Sequence, residues 1–263
     1  MSTKIRNLSI EKDTADDADY FIGDDPSNGV TYKITKHNLF SGLASGVADN
    51  SLLTTNNIVV ANYQTDLVDA KGHPFTAVGS PSISNSKSPY SSGSSLYLPG
   101  GSYVQYNANT DFRLNADWAI EFFTWIPSTY ATNDIDLPLL SIDAPFNIFF
   151  QKTRSGYNNN GVFNQTAALG INSSITVVCN SKTATIFDQW NHLAAVKTGN
   201  VLYYFVNGVH QNSSMYSSLP NTITNPTIYV GNISGYTLPT GVYFAGLRIQ
   251  STIYRVPTLP FTV

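Results

Sequence analysis

Residues 187–209 read FDQWNHLAAVKTGNVLYYFVNGV. Two runs of apolar, aromatic and β-branched residues, WNHLAAVKT and VLYYFV, are separated by Gly199-Asn200, and the second ends on Asn207-Gly208. An Asn-Gly pair between apolar residues marks a tight hairpin turn, because those two residue types tolerate positive φ. In VLYYFVNGV both side-chain faces are apolar, which predicts a strand that is central in its sheet or covered on each side.

Outward from this hairpin the habit continues. From Asn62 onward, apolar runs of five to eight residues alternate with Gly, Pro, Asn and Ser clusters. The predicted strands are SSLYLPG, YVQYN, WAIEFFTWIP, LPLLSID, FNIFFQK, AALGIN, ITVVCN, WNHLAAVKT, VLYYFVNGV, TIYVGN and FAGLRIQST. Helical periodicity is absent, and no internal repeat points to a propeller or β-helix. The pattern predicts an all-β, antiparallel jelly-roll sandwich over residues 62–263.

Composition narrows the function classes. Only 12% of the 263 residues are charged and 13% are aromatic, with 18 Gly and 13 Pro, which argues against coiled coil, helical solenoid and charge-driven disorder. Fourteen basic and 17 acidic residues give a net charge of −3, so the basic footprint that nucleic acid requires is missing. The single cysteine, Cys179, excludes an intrachain disulfide and reads as a buried strand residue. The start, MSTKIRNLSIEKD, lacks an apolar signal region and no run approaches the length of a membrane span. The expectation is a chain made in the cytoplasm, with no membrane insertion.

The N-terminal region differs from the rest. Residues 1–25 hold seven acids (Glu11, Asp13, Asp16, Asp17, Asp19, Asp24 and Asp25) against Lys4, Arg6 and Lys12. Tyr20, Phe21 and Ile22 precede the turn cluster Asp25-Pro26-Ser27-Asn28-Gly29, and Tyr32 and Ile34 follow it, which predicts a hairpin. Thr35 with KHNLFSGLA then reads as a capped short helix carrying Leu39 and Phe40. A unit of ~40 residues, here 1–44, rarely buries enough apolar surface to be stable alone. It is expected to dock on something else through those apolar residues. Residues 45–61, SGVADNSLLTTNNIVVA, read as a linker.

The quoted stretches carry a resemblance. Residues 67–74, LVDAKGHP, resemble the opening "D.SG..H" turn of the concanavalin A-like, laminin-G-type jelly-roll domain found in phage proteins. SSGSSLYLPGGSYVQY resembles its "GGSSLYFDGSGDYL" strand pair, and DFRLNADWAIEFFTWIP its "DF.LGTGDFTIEFWVKP". FDQWNHLAAVKTGNVLYYFVNGV resembles "W.HVALVR.GNTLYLFVNGV", and YFAGLRIQSTIYRVPTLPFTV resembles the domain's ending. The N-terminal KIRNLSIEKDTADDADYFIGDDPSNGVTYKITKHNLF is similar to a segment that precedes phage fibres and spikes. That resemblance implies a virion-attachment role for Tyr20, Phe21, Ile22, Tyr32, Ile34, Leu39 and Phe40. The domain resemblance does not fix a function, because this fold hosts lectins, hydrolases and adhesive modules.

Chemistry-bearing residues are sparse. Glycoside hydrolysis needs two carboxylates about 5 to 9 Å apart, yet Glu121 is the sole Glu after Glu11. Asp134 and Asp136 sit in a Pro-bounded loop and read as solvated. Asp188, Trp190 and His192 alternate and invite a Ser-His-Asp reading. No Gly-x-Ser-x-Gly elbow accompanies them, so Trp190 and His192 are expected to fill the core, as the resemblance implies. His37, His73 and His210 are scattered without metal-ligand spacing. Some relatives hold calcium through loop carboxylates, which here points to Asp66 or Asp69. For binding, Tyr157 with Asn158, Asn159 and Asn160 in SGYNNNG offer a ring and amides to a glycan, the alternative being an ordinary Asn-rich turn. Tyr130 and Tyr236 lie between strong strands and would add stacking surface, the alternative being packing against a neighbouring subunit.

The sequence therefore points to a non-enzymatic bacteriophage virion protein, a tail fibre or adhesin on the particle surface. Residues 1–44 attach it to other virion proteins, and the jelly roll binds host-surface glycan. A homotrimer is expected, with apolar strands such as VLYYFVNGV covered by neighbours. A capsid fibre or decoration protein and a polysaccharide-degrading enzyme remain as alternatives.

Overall fold

In the computed structural model Asn207 and Gly208 hold φ of 50° and 73°, the double positive φ of a two-residue hairpin. The turn joins β15 (Val201–Val206) to β16 (Val209–Met215), strands being numbered along the chain. Asn207 also fastens the turn to the next strand: its amide donates to the His192 carbonyl at 2.8 Å, and its Oδ1 accepts from the His192 amide at 2.8 Å. The structure describes residues 20–25, 30–35, 57–90, 93–115, 117–130, 136–143, 148–152, 166–171, 176–184, 187–215, 222–233, 236–238 and 241–251.

Two units are present, Met1–Asp49 with Phe261–Val263, and Asn50–Pro260. In the first, β1 (Tyr20–Asp25) and β2 (Val30–Thr35) form the expected antiparallel hairpin, with Phe21 opposite Ile34 and Gly23 opposite Tyr32. The helix expected after Thr35, with Leu39 and Phe40, lies outside the described residues.

The second unit is an all-β antiparallel sandwich. Its eight-stranded sheet runs β16, β15, β14 (Trp190–Thr198), β9 (Trp118–Trp125), β21 (Val242–Gln250), β6 (Ser95–Leu98) and β5 (Ser82–Ser84), with β3 (Asn57–Ala61) also pairing with β21. The seven-stranded sheet runs β13 (Thr176–Ala184), β12 (Thr166–Ile171), β11 (Ile148–Lys152), β10 (Leu137–Asp143), β18 (Thr227–Val230), β7 (Tyr103–Tyr106) and β4 (Phe75–Val78). Short pairs β8 (Arg113–Leu114) with β17 (Ile223–Thr224), and β19 (Asn232–Ile233) with β20 (Tyr236–Thr237), complete the described strands. All eleven strands expected from the sequence are present.

Alternate residues from both sheets meet in one core. Ile120 and Phe122 of β9, Leu193 of β14 and Tyr204 of β15 face Leu140 of β10 and Phe150 of β11, and all six are at most 1% exposed. Phe122 and Phe150 meet edge to face at 5.1 Å across the sandwich.

Two expectations are corrected. The stretch read as a linker supplies β3, which pairs with β21 in the register Leu247↔Ala61 and Ile249↔Val59, and Val59 and Ala61 are fully buried. Its flanking Asn and Thr residues masked a short apolar strand. The VLYYFV strand has no free apolar face for a neighbouring chain, because Leu202, Tyr204 and Val206 join the core and Phe205 packs with Ala119, Ala194 and Val196 on the outer side.

A polar clasp closes the entry to the sandwich. Asp69 Oδ1 accepts from the His73 amide at 2.7 Å and Oδ2 lies 2.8 Å from His73 Nδ1, with both residues buried. Gly72 closes the tight turn between them with φ of 73°, which only glycine holds readily. Nearby, the buried Tyr63 and Tyr106 hydroxyls are 3.1 Å apart, and Tyr106 Oη donates to the Leu67 carbonyl.

Asp69→Ala, which strips the buried His73 Nδ1 of its partner, is expected to lower unfolding stability by about 1–3 kcal/mol in urea titrations, and added calcium is expected to leave that midpoint unchanged. Burial also raises the phenols of Tyr63 and Tyr106, and pushes that of Tyr90 up to about 12. These groups keep their protons in the folded chain where the unfolded chain loses them. Stability is therefore full below the usual tyrosine range near pH 10 and falls as pH rises through it. Urea midpoints at pH 8, 10 and 11 should fall in that order, and the fall should shrink in Tyr90→Phe.

Candidate functional site

The outer face of the eight-stranded sheet carries a row of rings set by register alone. Trp190 of β14 lies opposite Trp125 of β9, Trp125 opposite Tyr243 of β21, and Tyr243 opposite Tyr97 of β6. All four side chains are half-buried. Tyr97 and Tyr243 have ring centroids 4.8 Å apart, while Trp125 meets Tyr243 edge to face at 5.6 Å. One ring per strand, at the strand pitch of about 4.8 Å, makes a stripe that crosses four strands. Desolvation first, then Tyr97, raises the Tyr243 phenol, so it remains a neutral hydrogen-bond donor at physiological pH.

The stripe has a polar border. Lys87 sets its ammonium 4.5 Å above the Trp125 ring. Ser95 Oγ anchors the Lys87 carbonyl at 2.6 Å, so the segment is tied down on the sheet. Gly246 forms a bulge between Ala245 and Arg248, and a Cβ there would sit 2.8 Å from Tyr90 Oη, which keeps Tyr90 close to the strand. Asp188 precedes β14 with φ of 55°, and its Oδ1 accepts from the Ser128 amide at 3.1 Å. The Ser128 hydroxyl and amide hold its carboxyl below the usual range, with Lys87 adding to the effect.

Beneath the row the face closes. His192 is 1% exposed, packs on Phe123 at 4.9 Å, and places Nε2 3.3 Å from Glu121 Oε2. Arg248 Nη1 lies 3.6 Å from Glu121 Oε1, so this carboxylate is flanked by strands on both sides. His192 is buried as expected, but on the outer side of the sheet in the phase of Ala194 and Val196 rather than in the core between the sheets. Trp190 is not core but half-exposed, and Asp188 sits in a turn rather than on its strand.

The structure separates the residues proposed from the sequence. Tyr157, Asn158, Asn159 and Asn160 lie outside the described residues. Tyr130 is 3% exposed and belongs to the core cluster, while its carbonyl accepts from the fully buried Lys152 Nζ at 3.2 Å. It offers no face to a sugar, because the short 3-10 turn Ser128–Tyr130 carries the ring inward. Tyr236 is on β20 opposite Ile233. Both Asp69 carboxylate oxygens are engaged by His73. Asp66 is exposed, with Oδ1 accepting from the Val68 amide at 3.1 Å. Among the described residues no group of three or more His, Cys, Asp and Glu is placed to hold a metal ion. The row itself was missed, although each member occupies the outward phase of its strand; only the inter-strand register aligns them.

The fold has known counterparts. Domain 4 of AbnA, a GH43 extracellular arabinanase from Geobacillus stearothermophilus solved in complex with arabinotriose, superposes with a TM-score of 0.54 at 17% identity, over 74% of this chain and 93% of that one. The binding domain of Paraclostridial Mosquitocidal Protein 1 gives 0.57 at 11% identity over 76% of this chain and 50% of that one. Botulinum neurotoxin type C, whose cell entry depends on interaction with two ganglioside molecules, gives 0.55 at 10% identity over 77% and 49%. The chain thus spans about half the length of the two toxin chains. No curated protein sequence matches it. With a family model matching residues 98–256, more than half of its length, the chain belongs to the Concanavalin A-like lectin/glucanases superfamily.

Proposed function

We propose that this protein is a non-catalytic glycan-binding module, displayed on the surface of a bacteriophage particle and attached to other virion proteins through residues 1–44. The observation that carries the binding role is the row Trp190, Trp125, Tyr243 and Tyr97. Planar rings stack on the apolar faces of sugars, and a stripe with one ring per strand suits an extended chain of saccharide units better than a single one. The arabinotriose held by the arabinanase domain and the gangliosides of the neurotoxin support this ligand class.

Binding is favoured over catalysis by what the carboxylates do. Glu121 is enclosed by His192 and Arg248, Asp69 by His73, and Asp117 Oδ1 accepts from the Gly199 amide at 2.8 Å. Each stabilises a local structure rather than lining an open cleft as half of an acid-base pair. The phage setting rests on the N-terminal resemblance, together with the hairpin β1–β2 that it anticipates. Weak stacking contacts of this kind gain from multivalency, which favours a trimeric fibre or adhesin over a monomer. A capsid fibre is distinguished by where antibody against residues 62–263 labels intact particles, tail label supporting the adhesin and head label the capsid fibre.

On a glycan array, Trp125→Ala and Tyr97→Ala are each expected to weaken binding about tenfold, roughly 1.4 kcal/mol per ring. Unchanged binding in both variants would sink the row as the site. Deletion of residues 1–44 should leave a soluble sandwich that no longer joins particles, measured by incorporation into virions, and normal incorporation would refute the attachment role.

A further inference from the structure

Asn225 stands in a backbone conformation that its neighbour disfavours. It holds φ of 52°, in the left-handed region, and the next residue is Pro226. A Pro ring crowds the residue before it and drives that residue toward extended backbone, so a left-handed Asn before Pro stores strain at the bond between them. The surrounding structure keeps it there. The Asn225 amide donates to the Phe112 carbonyl at 2.8 Å, and Phe112 is fully buried. On one side β17 pairs with β8 through Thr224↔Arg113 and Ile223↔Leu114. On the other, Pro226 is buried and β18 lies between β10 and β7 in the seven-stranded sheet. Neither flank can turn without breaking strand pairing, which is the condition under which backbone strain persists in a folded chain.

The side chain at this bond is placed to act on it. Asn225 is exposed, and among the described residues no hydrogen bond ties its carboxamide. Asn207, also left-handed, differs on both counts: its Oδ1 accepts from the His192 amide at 2.8 Å, and the residue after it is Gly208. Carboxamide chemistry at an Asn ordinarily starts from the N–H of the following residue, which attacks the side chain and expels ammonia. Pro226 has no N–H, so that route is closed. What remains is the reverse attack, side chain on main chain, which closes a succinimide ring.

We propose that the Asn225–Pro226 bond is a self-cleavage site. Asn225 Nδ2 attacks the Asn225 main-chain carbonyl carbon, the bond from that carbon to the Pro226 nitrogen breaks, and the proton lost by Nδ2 passes through water to the Pro226 nitrogen. The products are residues 1–225, ending in a succinimide, and residues 226–263, beginning with a secondary amine. Water then opens the ring to a C-terminal asparagine or isoasparagine. Departure of Pro226 relieves the crowding, so the strain favours cleavage rather than opposing it. The cut does not take the sandwich apart. Residues 226–263 carry β18 and β21, which stay paired with β10 and β7 and with β9, β6 and β3. The two pieces separate only on denaturation, and the link between β17 and β18 is released. The proposal is independent of any ligand.

The test follows the purified full chain during incubation at physiological temperature in mildly alkaline buffer, by denaturing electrophoresis and intact mass. Two fragments meeting between Asn225 and Pro226 are expected, with masses that sum to the parent before ring opening and to the parent plus one water after it, while elution on native size exclusion stays unchanged. Asn225→Gly takes the left-handed φ without strain and lacks the carboxamide, so it should fold normally and stay intact. Pro226→Ala relieves the crowding and restores an N–H, and should cut about tenfold more slowly. Should that variant fail to fold, the wild-type chain held unfolded in urea gives the same comparison, with cleavage again slowed about tenfold because the strain is gone. A wild-type chain that stays intact overturns the proposal. So does a cut that persists in Asn225→Gly, or one that proceeds as fast in urea as in the folded chain.

Discussion

The sandwich depends on the insertion of β21. This last described strand lies between β9 on one edge and β6 with β3 on the other, so it joins segments from near residue 57 to residue 250 in one sheet. Without it, β9 and β6 have no common neighbour, and the inner faces of the two sheets cannot close over Phe122 and Phe150. Such pairings are non-local and are formed only after large loop-closure costs. The bulge at Gly246 lets one strand serve two partners on the same edge. It re-aims the chain so that Phe244 before it and Leu247 after it both reach the core.

From that insertion the candidate site follows without further design. Once β21 is fixed between β9 and β6, Tyr243 stands between Trp125 and Tyr97. The β14 pairing then adds Trp190 to the same row. The row is therefore held by backbone hydrogen bonds rather than by loops, which keeps ring spacing rigid and limits the entropy lost on binding. One row further in, His192, Phe123 and Ala245 are buried, and the sheet presents a sharp boundary between a closed interior and an aromatic rim.

Much of this fold was legible because buried strands announce themselves as apolar runs between turn residues. β9, β14 and β15 needed only local pattern, and Asn207-Gly208 fixed its own turn. β3 and β16 were harder, since NIVVA is flanked by polar residues and VHQNSSM contains hardly any apolar ones; their strand character comes from the neighbours they pair with. The candidate surface was less legible. Trp125 and Tyr97 are 28 residues apart and Trp190 and Tyr243 farther still, so no window of sequence contains the row. Tyr130 misled in the opposite direction, because Pro127-Ser128-Thr129 reads as an exposed loop while the turn it makes drives the ring inward. Burial of Lys152 inside a strand is equally invisible to pattern, since it depends on a carbonyl partner, that of Tyr130.

The acid-poor, amide-rich composition bears on how such a surface works. A charged binder gains speed and range from long-range attraction, but loses both in salt. Rings, phenols, amides and hydroxyls act only at contact and are indifferent to ionic strength. They also compete poorly with water one contact at a time, so each site made of them stays weak unless several are engaged together. On the proposed reading, the aromatic row repeated over several chains would gain that multiplicity through effective concentration rather than through any single tight contact.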